Sequence, residues 1–155
     1  MIKIEENKTR KRLRITQCVL FLVQIFLCSF PFINGTASDG YFYSYSVLDI
    51  ISFLGGEIPN TASGDAFKQA IPYFLIFLII PIIGFFFCLF DKYRNLKNIV
   101  SIVCSAAGVV SILFIVSYLL SIGSLVALLL YILICFISTI ALFARITSDE
   151  STQKK

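Results

Sequence analysis

The sequence has no histidine and no tryptophan, a single methionine, and few charges: 14% of its 155 residues are Asp, Glu, Lys or Arg, against roughly 25% in an ordinary soluble domain. The charges are also clustered. Between the clusters lie four runs of about 20 residues without one Asp, Glu, Lys or Arg. Each absence excludes a chemistry. Without histidine, neither a two-His-plus-Glu zinc site nor a Cys–His nucleophile pair can be assembled. Without ionisable groups at depth, proton relays and ion-coupled transport by this chain alone lose their working parts. No metal or cofactor site is expected. The long polar stretch between the first two runs lacks cysteine. All five cysteines (Cys18, Cys28, Cys88, Cys104 and Cys135) lie inside apolar runs, so a disulfide framework is not expected and the thiols read as small packing residues.

What is present is hydrophobicity: 58% of the chain. One soluble core of this size would leave large apolar patches on its surface, whereas lipid accepts an apolar exterior. The runs are residues 15–33, 70–90, 99–120 and 125–144. Each is about 30 Å long as a helix, the thickness of a hydrocarbon core. Lipid requires every backbone polar group to be paired within the segment, and no period-2 alternation suggests a barrel. The expected fold is therefore all-α, a four-helix transmembrane bundle. A basic head (1–14) precedes it, a long outer loop (34–69) joins the first two spans, and a tail (145–155) follows.

The charge tally orients it. The head carries Lys3, Lys8, Arg10, Lys11, Arg12 and Arg14 against Glu5 and Glu6. The second connection carries Lys92, Arg94 and Lys97 against Asp91, and the tail Arg145, Lys154 and Lys155 against Asp149 and Glu150. The long loop has Lys68 alone against Asp39, Asp49, Glu57 and Asp65. Positive segments stay inside, so head and tail are expected in the cytoplasm. The net charge of +4 is this topology signal, with anionic lipid as the partner of the head, and not a nucleic-acid footprint. The first run also fits a cleaved signal peptide, with Gly35-Thr36-Ala37 as small residues at a cleavage site.

Within the runs, Gln24 is the polar side chain nearest a span centre, a candidate for bonding a neighbouring or partner helix. Pro81, followed by Gly84, is expected to kink the second helix. Small residues at four-residue spacing, Cys104 and Gly108, Ala107 and Ser111, and Ser117 and Ser121, suit close packing of the last two spans as a hairpin turning at residues 121–124, or a homodimer face. In the loop, Tyr41, Tyr43 and Tyr45 stand where interfacial aromatics gather. Residues 47–54 read as a short interfacial helix edged by Asp49 and stopped by Gly55-Gly56, and Glu57 opens a polar stretch. These loop residues and Gln24 are the candidate partner-binding set. Asn34-Gly35-Thr36 matches a glycosylation sequon at the membrane edge.

Two short motifs, Ser29-Phe30-Pro31-Phe32 at the end of the first run and Ser46-Val47-Leu48-Asp49-Ile50 in the loop, together with the Ile-, Leu- and Gly-rich later runs, resemble small four-span membrane proteins of Gram-positive bacteria. The resemblance implies a bacterial cytoplasmic membrane and no particular activity. The functional expectation is a non-enzymatic accessory or scaffold subunit that binds another membrane protein, or itself. The alternatives are an oligomeric channel or transporter component, and a membrane-embedded immunity factor against a toxin or phage.

Overall fold

A computed structural model of the chain describes residues 8–36, 40, 42–54, 64–91, 96–114 and 119–153. The protein is mostly helical: α1 (Lys8–Leu27), β1 (Pro31–Thr36), β2 (Phe42–Ser46), α2 (Val47–Ser52), α3 (Gly64–Phe90), α4 (Leu96–Phe114), β3 (Leu119–Leu120) and α5 (Ile122–Gln153). Among the described residues, three helical stretches are long and apolar enough to cross a membrane: Ile71–Phe90, Leu96–Phe114 and Ile122–Ala144.

The four long helices close a ring. α1 packs on α3 and α5, α3 on α4, and α4 on α5. Each neighbour runs antiparallel: Phe21 of α1 meets Gly84 of α3, and Gly108 of α4 meets Tyr131 of α5. The buried faces have a common spacing. They are Gln17-Phe21-Gln24-Cys28, Phe74-Phe77-Pro81-Gly84-Cys88, Asn98-Ser101-Ser105-Gly108-Ile112 and Ser124-Ala127-Tyr131-Ile134-Ser138. Steps of three and four alternate, and that mean repeat of 3.5 is what a left-handed bundle buries. The outward faces are the greasier ones: Val103, Leu113, Leu129 and Phe136 are exposed, while Ser101, Ser105, Ser124 and Ser138 are fully buried. A water-soluble bundle would reverse this order.

Aromatic rings fill glycine notches. A Cβ added at Gly84 would collide with the Phe21 ring, and one at Gly108 with the Tyr131 ring, 2.7 Å away. Phe32, Phe74, Phe77 and Tyr131 continue the core as a chain of ring contacts. The expected hairpin of the last two spans is present as the α4–α5 pair.

The helix of the first run departs from its expected limits. α1 starts inside the basic head and stops at Leu27, so its charge-free part from Ile15 is about 20 Å long. The end of the run unwinds through i→i−3 bonds from Cys28, Ser29 and Phe30 to the carbonyls of Ile25, Phe26 and Leu27. Pro31 has no N–H and biases its predecessor away from helix, and the chain continues as β1. β1 is the centre of a three-stranded sheet in the order β2-β1-β3. Asn34 aligns with Ser44 on one side and Leu119 on the other.

The third run is corrected in the same way. Its helix ends at Phe114, and Leu119–Leu120 form β3. Residues 121–124 are not a free turn between spans. The Ser121 carbonyl accepts from Leu125 N–H at 3.2 Å and from Ser124 Oγ at 2.7 Å, which starts α5 at this point. Gly123 lies against the Pro31 carbonyl, where any Cβ would strike backbone. The short loop helix is present as Val47–Ser52. Ser46 Oγ accepts from Asp49 N–H, and the Asp49 carboxylate accepts from Ser46 N–H at 2.9 Å, a capping box.

Gly84→Ala should destabilise the bundle by about 1–3 kcal/mol, the usual range for overpacking. Adding Phe21→Leu should recover part of the loss. Unfolding midpoints in detergent measure both, and equal stability of Gly84→Ala and wild type would contradict the notch.

Candidate functional site

α1 buries two carboxamides seven residues apart, Gln17 and Gln24, on the face turned to the other helices. Gln17 is fully buried. Its Nε2 donates to Ser138 Oγ of α5 at 2.8 Å and to Asn98 Oδ1 of α4 at 3.3 Å. Its Oε1 accepts from Cys88 Sγ of α3 at 3.9 Å. One carboxamide thus ties α1 to all three other long helices. The surrounding partners are also satisfied: Ser138 Oγ donates to Ile134 O at 2.7 Å, and Cys88 Sγ and Ser101 Oγ are 3.5 Å apart. Beneath the hub, Asp91 closes the α3–α4 connection. Its carboxylate accepts from Lys97 N–H and its carbonyl from Lys97 Nζ, both at 3.0 Å.

One level up, Gln24 Nε2 donates to the Ala127 carbonyl of α5 at 3.1 Å, while Gln24 Oε1 is buried without a hydrogen-bond partner. One turn further, Cys28 repairs a flaw in α3. Pro81 offers no N–H to the carbonyl four residues back, that of Phe77. The single Cys28 S–H is shared between that carbonyl and the Gln24 carbonyl of its own helix, each 3.5 Å from Sγ. α3 remains helical through Pro72 and Pro81. The effect of Pro81 is an orphaned acceptor that another helix reaches, and Gly84 is the seat of the Phe21 ring. These thiols act as donors, beyond the packing role expected of them.

The loop candidates are separate from this seam. Tyr43 and Tyr45 stack with ring centroids 4.9 Å apart, and Tyr45 meets Phe53 edge-on at 5.2 Å. Burial raises the Tyr45 phenol pKa, with Tyr43 and Asp49 adding to the shift. Asp49 caps α2 through Ser46 N–H and Oγ. Asn34, the sequon residue, accepts from Ser44 Oγ at 2.8 Å. Tyr41 and Glu57 lie outside the described residues.

Sequence reasoning found Gln24 and missed Gln17, Cys88, Asn98, Ser101 and Ser138. A signal existed: Gln17 is two helical turns before Gln24 and so shares its face. Gln17 stands close to the basic head, away from the span centre at which Gln24 drew attention.

Chemically the seam consists of carboxamides, hydroxyls and thiols, groups that clamp helices by hydrogen bonds. Among the described residues no three His, Cys, Asp or Glu side chains are grouped to hold a metal ion. No family model matches the chain, and no curated protein or solved structure matches it.

Gln17→Leu should lower stability by about 1–2 kcal/mol, toward the upper end of intramembrane hydrogen bonds because several are lost together. Cys28→Ser should be tolerated, since a hydroxyl also donates to Phe77 O, whereas Cys28→Ala should be measurably weaker. Equal unfolding curves for the two Cys28 variants would remove the thiol from the account.

Proposed function

We propose that this chain is a four-span protein of a bacterial cytoplasmic membrane, with head and tail in the cytoplasm, and that it serves as a non-enzymatic accessory or scaffold subunit binding another membrane protein. The observation that carries the reading is the direction in which polarity faces. Carboxamide, hydroxyl and thiol groups of all four helices close on one another inside. The exterior offered to neighbours is apolar helix, topped at one end by the β2-β1-β3 sheet and α2.

α1 is the fourth span in this reading. It runs antiparallel beside α3 and α5, two of the helices with membrane-crossing stretches. Its charge-free part is short for a bilayer, but Arg12 and Arg14 can extend their stems and keep their heads in the interface. In this reading the net-positive head, second connection and tail all belong on the cytoplasmic side. The interior is filled by Phe21, Phe74, Phe77 and Tyr131, which argues against a pore through a single copy.

Purification in mild detergent with mass spectrometry should yield a stoichiometric membrane partner. A lone monomer active in reconstituted hydrolysis or transport would overturn the accessory reading. For topology, a cysteine introduced at Ser63 should react with an impermeant thiol reagent added to intact cells. Labelling only after permeabilisation would reverse the orientation.

A further inference from the structure

Two thiols from different helices meet beside the Gln17 hub. The Phe21 ring of α1 seats on Gly84 of α3. Because the two helices run antiparallel, one turn away from that notch brings Cys18 of α1 and Cys88 of α3 to the same level. Both side chains pack in one cluster with Phe21 and Ile134. The two thiols are in hydrogen-bonding contact, and both are free. They differ in access. Cys88 is fully buried, with Sγ 3.9 Å from Gln17 Oε1 and 3.5 Å from Ser101 Oγ. Cys18 is half-buried and adjoins the exposed Val19. The charges of Arg14, one turn before Cys18, and of Lys97, beneath the hub, both reach it.

We propose that Cys18 and Cys88 form a reversible dithiol–disulfide couple that a hydroperoxide oxidises, with Cys18 as the thiol the oxidant meets. The proposal uses the packing of α1 on α3 and goes beyond the accessory reading. A hydroperoxide is small and uncharged, so it reaches a half-buried thiol where a bulky, charged disulfide reagent does not. Oxidation takes two steps. The Cys18 sulfur attacks the outer peroxide oxygen, an S–O bond forms and the O–O bond breaks. The departing alkoxide takes the Cys18 proton and leaves as an alcohol. Arg14 and Lys97 stabilise the negative charge that develops on that oxygen. The Cys88 sulfur then attacks the Cys18 sulfur of the sulfenic acid. An S–S bond forms, the S–O bond breaks, and the hydroxide leaves as water with the Cys88 proton. Two thiols have lost two electrons, and the hydroperoxide has become alcohol and water. A small dithiol reverses the bond by exchange. Closing the bond draws Cys88 Sγ away from Gln17 Oε1 and Ser101 Oγ, so oxidation removes one contact of the hub while it ties α1 to α3 covalently.

The full chain, reconstituted in lipid and treated with hydrogen peroxide or cumene hydroperoxide, should yield a Cys18–Cys88 cross-link by mass spectrometry, and dithiothreitol should reverse it. In Cys88→Ser, whose hydroxyl keeps a partner for Gln17 and Ser101, Cys18 should stop at a sulfenic acid that dimedone traps. In Cys18→Ala the cross-link should be lost and Cys88 should stay reduced. A wild-type chain in which Cys18 remains a thiol, or accumulates as sulfenic acid, overturns the proposal. So does a cross-link from Cys18 to any other thiol, or oxidation of Cys88 in Cys18→Ala. Each of these results leaves the accessory reading standing, because that reading depends on a membrane partner and not on a thiol.

Discussion

The three hydrogen-bonding contacts of Gln17 are the constraint on which the bundle depends. In lipid there is no hydrophobic gain from bringing apolar helices together, because the tails outside are as apolar as the side chains. Specific association must come from close packing and from polar groups that find no partner elsewhere. Gln17 supplies the second by joining Cys88, Asn98 and Ser138 from three helices. Glycine supplies the first, since Gly84 and Gly108 let the rings of Phe21 and Tyr131 lie on helix backbone. Hub and notches alternate along α1, at Gln17, Phe21, Gln24 and Cys28. A rotation of α1 would break both kinds of contact together.

The sheet at the far end solves a different problem. A chain leaving a short helix at the membrane edge carries unpaired backbone groups, and it must satisfy them before returning. β1 does so on both edges, with β2 from the loop and β3 from the connection between α4 and α5. Ser121 N–H extends the pairing to Phe32 O at 3.1 Å, and Leu48 N–H to Cys28 O at 3.3 Å. The loop is thereby joined to the α4–α5 hairpin through backbone bonds, independently of side-chain identity. Gly123 is the exception, because the approach of α5 to the Pro31 carbonyl leaves no room for a Cβ.

Composition and spacing made the helical membrane architecture legible, since charge-free runs of such length have few other solutions. The α2 helix was legible too, from the apolar stretch 47–54 edged by Asp49. The sheet was not. Ile33, Leu119 and Leu120 belong to apolar runs whose composition suits either a helix end or a strand, and only pairing between distant segments decides which. Pro31 marked the boundary but not what lay beyond it. The polar seam was half legible: Gln24 stood out by its depth, whereas Ser101, Ser138 and Cys88 are residue types that membrane helices carry for packing alone. Whether such a residue bonds across helices depends on the rotation of each helix, which one sequence does not contain.

Pro81 shows why the interior reads as a lock and not as a working site. A proline inside a helix leaves one carbonyl without its donor, and in a channel or transporter that acceptor is a natural ligand for an ion or substrate. Here the Phe77 carbonyl receives the Cys28 thiol instead. The thiol shares its one hydrogen with the Gln24 carbonyl, and the Gln24 amide reaches across to Ala127. The flaw in α3 is thus covered by α1, and α1 is held in turn by α5. Interior polarity of this kind sets the register of the helices. It directs the search for recognition to the outside, where the exposed helix faces are apolar.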